Sequence, residues 1–175
     1  IVAGHTHTLG LKSNGTLWAW GQNGSGQLGD GTTVDKTTPV QIGTATDWLI
    51  IAPGFTHSMA IKTNGTLWSW GSNGNGELGD GTYTAKSSPV QVGTATNWVT
   101  VSTGKYHSKG IKSDGTLWTW GSGIFGLHGD GTGNDNTGFN KTSPIQIGTA
   151  TNWTSVSAGY ETCTALRADG SLWVW

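Results

Sequence analysis

The chain has 175 residues, 30 of them glycine, and only 11% of it is charged, against roughly 25% in an ordinary soluble domain. A formal net charge of −1 offers no basic footprint for nucleic acid, and the glycines keep no collagen-like three-residue period. No apolar run approaches the ~20 residues of a membrane-spanning helix, and a lone Cys163 excludes an internal disulfide framework and a multi-cysteine zinc site.

In chain order, Ile1 opens directly into β-like sequence, with no basic or apolar region of a secretory leader. Gly4-His5-Thr6-His7 then returns as Gly54-Phe55-Thr56-His57, Gly104-Lys105-Tyr106-His107 and Gly159-Tyr160-Glu161-Thr162. Residues 4–50 and 54–100 agree at 28 of 47 positions without a gap, so repetition outranks every other signal. The units run approximately over 1–50, 51–100, 101–155 and an incomplete 156–175, one propeller segment in all.

Each unit reads as four short strands, A to D. Strand A follows a linker tryptophan, as in Trp48–Ala52 or Trp98–Ser102, and strand B is His57–Lys62 and its equivalents. Strand C is Thr66–Trp70 and strand D Pro89–Val92. Asn14-Gly15, Asn64-Gly65, Asp114-Gly115 and Asp169-Gly170 separate B from C and predict tight hairpins with type I′ turns. A proline opening strand D places that strand at a sheet edge, where its missing N–H costs nothing. No stretch has helical periodicity.

Four-stranded units of about 50 residues predict an all-β fold, a β-propeller of four-stranded antiparallel blades. Eight tryptophans form Trp-x-Trp pairs, from Trp18/Trp20 to Trp173/Trp175, and Trp48, Trp98 and Trp153 close the linkers. Residues two apart on a strand share a face, so each pair fills the space between blades. A stacking platform for bases or sugars is the lesser reading.

Trp20-Gly-Gln-Asn-Gly-Ser-Gly-Gln-Leu-Gly-Asp-Gly-Thr32 and its copy Trp70–Thr82, with Gly54-x-x-His57 before Ala60-Ile61-Lys62, resemble the regulator-of-chromosome-condensation repeat family. The third unit departs at Gly123-Ile-Phe-Gly-Leu-His-Gly129 and gains five residues before Pro144; the fourth has Thr162 for the histidine. No Gly-Gly doublet or Trp-Asp dipeptide supports the rival kelch or Trp-Asp propellers. The resemblance implies a seven-bladed ring, of which this chain supplies a little under four blades. It is therefore expected to be a segment of a longer chain, with a self-assembling half-ring as the alternative.

Bland readings prevail at most chemical motifs. Gly24-Ser-Gly-Gln-Leu-Gly29 spells a dinucleotide fingerprint, but no helix follows. His7, His57 and His107 occupy one repeat position, spread over successive blades, and are expected to hydrogen-bond rather than to bind a metal. Asp30, Asp80 and Asp130 are expected to cap turns. Cys163 reads as a buried, inert thiol. The sequons at Asn14 and Asn64 are first of all hairpin turns. No repeat-unique acid–base pair stands out, so no enzyme, cofactor or metal is expected.

Function is sought where the repeats differ. The B–C turns and D–A linkers are nearly identical on one face, whereas the A–B turns and C–D loops vary on the other. The variable candidates are His5, Phe55, Tyr83, Lys105, Tyr106, Phe125, Phe139, Tyr160 and Glu161. Exposed aromatics among small polar residues suit a protein partner, and carbohydrate binding is the alternative. The resemblance spans nucleotide exchange on a small GTPase and β-lactamase inhibition. Near-perfect repeats rich in Thr, Asn and Gly resemble the bacterial secreted or surface type, which serves adhesion or surface motility. An extracellular or cell-surface location, without membrane insertion, is expected.

Overall fold

The Asn-Gly-Thr triplets decide where each hairpin turns. In the computed structural model, which describes residues 1–131 and 140–175, Gly15 N–H donates to Lys12 O (2.9 Å) and Lys12 N–H to Thr16 O (3.1 Å). The hairpins are tight as expected, but the turn is not type I′. Only Gly15 takes positive φ (77°); among the described residues Phe125 is the sole non-glycine there. The Asn14 side chain explains the difference. Its Oδ1 accepts both Thr16 N–H (3.2 Å) and Thr16 O–H (2.8 Å), a local turn that keeps Asn14 out of the left-handed region. The same triplet is built at Asn64, Asp114 and Asp169.

Glycine is obligatory after it for a second reason. A Cβ on Gly65 would lie 2.0 Å from the Thr96 carbonyl oxygen, at φ +75°. Gly65→Ala is therefore expected to cost about 2 kcal/mol or more, from left-handed strain plus the clash. Gly93→Ala, at φ +61° with nothing within 4 Å, keeps only the strain and should cost about half as much. Urea midpoints of the two variants check the ranking.

Four antiparallel sheets follow. The first orders β1 (Val2–Ala3), β2 (His7–Leu11), β3 (Leu17–Gly21) and β4 (Lys36–Gln41). The second orders β5 (Trp48–Pro53), β6 (His57–Lys62), β7 (Leu67–Gly71) and β8 (Lys86–Gln91). The third has β9 (Trp98–Thr103), β10 (His107–Lys112), β11 (Leu117–Gly121) and β12 (Lys141–Gln146); the fourth has β13 (Trp153–Ala158), β14 (Cys163–Arg167) and β15 (Leu172–Val174). The one helical feature among the described residues is a single 3-10 turn, Ile124–Gly126. Strand D begins three residues earlier than the proline suggests. β8 pairs with β7 at Gly71↔Lys86 and at Ser69↔Val90, so three residues ending at Pro89 oppose Trp70 in a bulge. Pro89 is accommodated there, on the outer strand, because a bulge asks it for no ladder hydrogen bond.

The core lies between blades. Leu9, Leu17, Ala19, Leu28 and Ile42 of the first blade bury themselves against Trp48, Ala60 and Trp70 of the second. Met59, Leu67 and Val92 do the same against Trp98, Val101 and Trp120, and Ile111, Leu117 and Ile147 against Trp153, Val156 and Ala165. Trp70 and Trp120 thus fill the blade junctions with Trp68 and Trp118 packed beside them, and the linker tryptophan completes each set: Trp48 lies 5.9 Å from Trp68 and 6.2 Å from Trp70, ring to ring. A strand-B cation caps every set. Lys62 Nζ sits 4.8 Å above both Trp48 and Trp68, and Arg167 sits 4.4 and 4.3 Å above Trp153 and Trp173.

Candidate interaction face

The A–B turns set the face. Each closes with a glycine N–H donating to the carbonyl of the residue three on: Gly4 to His7, Gly54 to His57, Gly104 to His107 and Gly159 to Thr162. The turns also bond to one another, His5 N–H to Gly54 O (3.1 Å), Phe55 N–H to Gly104 O (3.4 Å) and Lys105 N–H to Tyr160 O (3.4 Å). The A strands β1, β5, β9 and β13 pack side by side, so the four turns gather at the inner end of the blades.

Beneath them the repeated histidines tie blade to blade. His7 Nε2 lies 2.8 Å from Ser58 Oγ, and His57 Nε2 2.9 Å from Ser108 Oγ. The Ser58 hydroxyl donates onward to Gln27 O and that of Ser108 to Glu77 O, both at 2.8 Å. A hydroxyl has one proton to give, so each imidazole donates through Nε2–H, and its buried Nδ1 faces no acceptor for a second N–H, which favours the neutral ring. Burial drives His7 down to about 4 and His57 to about 3. His107 meets Cys163 Sγ at 3.3 Å and is pushed to about 3 by burial, with Lys109, His57 and His128 adding to it. The hydrogen-bonding role expected of these histidines is what the geometry shows.

Six of the nine candidate residues converge. His5 stacks on Phe55 with centroids 4.1 Å apart, and Phe55 meets Tyr160 edge-on at 5.7 Å. Lys105 Nζ lies 4.2 Å above Tyr160 and 4.7 Å above Tyr106, and 3.7 Å from the Glu161 carboxylate. A hydrogen bond with Tyr160 raises the Lys105 pKa despite some opposing desolvation, and Tyr106, Tyr160 and Glu161 add to the rise, so the ammonium is held charged. The turns rim a depression of about 320 Å³ walled by Pro53, Phe55, Thr103, Lys105 and Tyr160. Tyr160 is 53% exposed and Tyr106 38%, large apolar surfaces left facing solvent.

The other three candidates stand apart. Tyr83 (56% exposed) and Phe125 (63%) project from C–D loops, and among the described residues no ring contact joins them to the turn cluster. Phe139 lies outside the described residues.

The C–D loops are built from buried side chains, as the aspartates suggest. Asn23 donates to Asp30 Oδ1 (3.1 Å) and Thr32 O (3.0 Å) and accepts from Leu28 N–H (3.0 Å). Burial would raise the Asp30 carboxyl, but hydrogen bonds from Thr32, Lys36 and Asn23 hold it below its ordinary value. Lys36 also lies 3.1 Å away. The fingerprint glycines make room for tryptophan: a Cβ on Gly29 would meet Trp70 Nε1 at 2.7 Å, and on Gly79 Trp120 Nε1 at 2.7 Å. Among the described residues no cluster of His, Cys, Asp and Glu could hold a metal ion, and no helix is long and apolar enough to cross a membrane.

The regulator of chromosome condensation (RCC1) repeat matches residues 14–61, 64–110 and 114–166, which is most of the chain. The chain belongs to the RCC1 repeat family. Human WBSCR16 superposes with a TM-score of 0.85 at 22% identity, over 98% of this chain and 45% of that one. Prp20p of Saccharomyces cerevisiae, studied for its binding to Gsp1p and histones, gives 0.80 at 23%, over 93% and 42%. These likenesses show the fold, a partial RCC1-type propeller. The ultraviolet-B receptor UVR8 of Arabidopsis thaliana is 39% identical over 51 residues, 29% of this chain and 12% of that protein. The chain thus spans less than half of the solved structures and about an eighth of the plant receptor. Among this chain's own repeats the third C–D loop differs in its described part, with Phe125 at φ 60° in a 3-10 turn.

Proposed function

We propose that this RCC1-repeat segment is a non-enzymatic binding module that grips a protein partner through its A–B turns. The observation that carries the reading is the convergence of His5, Phe55, Lys105 and Tyr160 around one depression, with Tyr106 and Glu161 held beside Lys105. Rigid aromatics beside a pinned cation and a carboxylate are the usual energetic anchors of protein interfaces. Prp20p, bound by Kap60 in one solved structure, lends general support for a propeller that binds proteins. The low charge and the abundance of Thr, Asn and Gly support a secreted or cell-surface setting of bacterial type, for adhesion or surface motility. Guanine-nucleotide exchange and β-lactamase inhibition are alternative roles of the same fold.

The test compares the wild-type chain with a Phe55→Ala/Tyr106→Ala/Tyr160→Ala variant, each immobilised and presented with secreted and surface proteins of the source cells. A partner retained by the first is expected to be lost, at least tenfold, by the second, with circular dichroism unchanged. Undiminished retention would place binding on another face. Binding to a glycan array with no protein present would favour the carbohydrate reading instead.

A further inference from the structure

The three blade junctions share one plan, and the third breaks it. At the first two, fully buried Leu9 and Leu28, then Met59 and Leu78, fill equivalent places. At the third those places hold Lys109 and His128, also buried, and Cys163 stands where the others have Ser58 and Ser108. Lys109 Nζ donates to Thr119 Oγ1 (2.5 Å) and to the Leu127 carbonyl, under the Trp175 ring at 5.5 Å. The Leu127 carbonyl also accepts Trp175 Nε1–H (3.0 Å) and faces Cys163 Sγ (3.8 Å). His128 Nδ1 lies 3.3 Å from Thr119 Oγ1. The groups facing the amine are His107 on its own strand, His128 and Asp130 from the C–D loop, and Cys163 from β14.

We propose that this cluster makes the junction between the third and fourth blades a proton-controlled clasp, which opens readily while Lys109 is an ammonium and holds firmly once it is a neutral amine. A buried ammonium gives up its hydration for one hydroxyl, one carbonyl, the Cys163 sulfur and a ring, whereas a neutral amine gives up far less. Burial accordingly lowers Lys109 to about 8, with Cys163 and Asp130 pulling the other way. The open junction returns the amine to water, near 10.5. Opening therefore takes up a proton between pH 10.5 and 8, grows easier as pH falls through that window, and levels off below it. The loop carrying Phe125 hangs from the same Leu127 carbonyl and His128, so opening also releases that loop.

Cys163 is the only cysteine and is fully buried at this junction, which makes it a built-in reporter. Its rate of labelling by methyl methanethiosulfonate, divided by the rate in the urea-unfolded chain at the same pH, measures opening. The ratio is expected to fall severalfold from pH 7 to 9.5, because burial also holds the Cys163 thiol protonated and its ionisation on opening offsets part of the Lys109 effect. A Cys163→Ser/Ser58→Cys chain moves the reporter to the first junction and should show no fall. A Lys109→Met/His128→Leu chain, which restores the second junction's pair, should label more slowly at pH 7 and show no fall. A flat wild-type ratio, or an equal fall in the Ser58→Cys reporter, would overturn the proposal. If the double variant does not fold, the two reporters alone decide.

Discussion

Lowering the pH from 7 to 4.5 is expected to unfold the chain. His7, His57 and His107 are buried and neutral in the fold, at about 4, 3 and 3, and return to about 6.5 when exposed. A depressed imidazole contributes its stability above 6.5 and loses it as pH falls toward its folded value. Each withheld proton costs about 1.4 kcal/mol per pH unit, so three histidines lose on the order of 8 kcal/mol between pH 6.5 and 4.5. That is comparable to the whole stability of an ordinary domain. The neutral form is enforced by geometry, since each Nε2–H is committed to the neighbouring blade and each Nδ1 is buried without a partner. Urea midpoints followed by tryptophan emission should drop steeply below pH 6.5, with a slope near three protons. A His57→Gln variant should lower that slope by about one. Midpoints constant down to pH 4.5 would mean that the imidazoles are not neutral struts.

The asymmetry between the repeated and unrepeated parts explains what could be read in advance. Strands B and C were legible because Gly-x-x-His and Asn-Gly-Thr recur at fixed spacing and local chemistry decides them. The turn departs from type I′ because Asn14 uses its side chain on Thr16, a choice between two local bonds that the Asn-Gly dipeptide does not reveal. Strand D began earlier than its proline because a bulge beside Trp70 takes up the extra residues. The six turn residues were visible as positions that differ between units. Their assembly was not, because the stacking of His5 on Phe55 and the edge of Tyr160 depend on how successive blades are set side by side. Tyr83 and Phe125 vary for the same sequence-level reason and yet join no such cluster among the described residues. Lys109 and His128 escaped notice singly, since His107-Ser-Lys-Gly-Ile-Lys112 still alternates like a strand. Only the alignment of Leu9, Met59 and Lys109 at one buried position reveals a charge where the fold asks for a hydrocarbon.

Trp70→Ala is expected to be the most damaging single truncation in the second blade. The ring is fully buried at the first junction, packed against Trp48, with its Nε1–H donating to Gln27 O at 2.9 Å. Removing it leaves a cavity, at a cost of about 3–5 kcal/mol for the packing alone, while the Gln27 carbonyl keeps its bond from the Ser58 hydroxyl. Gly29 makes collapse difficult. It approaches the indole because it has no side chain, so no neighbouring group is poised to fill the space. Trp173→Ala removes the same residue type from the fourth blade, where the ring is 46% exposed and its Nε1–H reaches only Ser171 Oγ at 3.3 Å. Its cost should be about 1–2 kcal/mol, chiefly from contact with Trp153 and Arg167. Both can be measured by urea unfolding at pH 7. Equal losses would mean that the Trp-x-Trp pairs act as surface ornaments of their own blades and not as fillers between them. A loss at Trp70 several-fold the larger fixes the second ring of the pair as the keystone of the junction, and explains why Trp70, Trp120 and Trp175 each meet a glycine of the preceding loop's Leu-Gly or His-Gly.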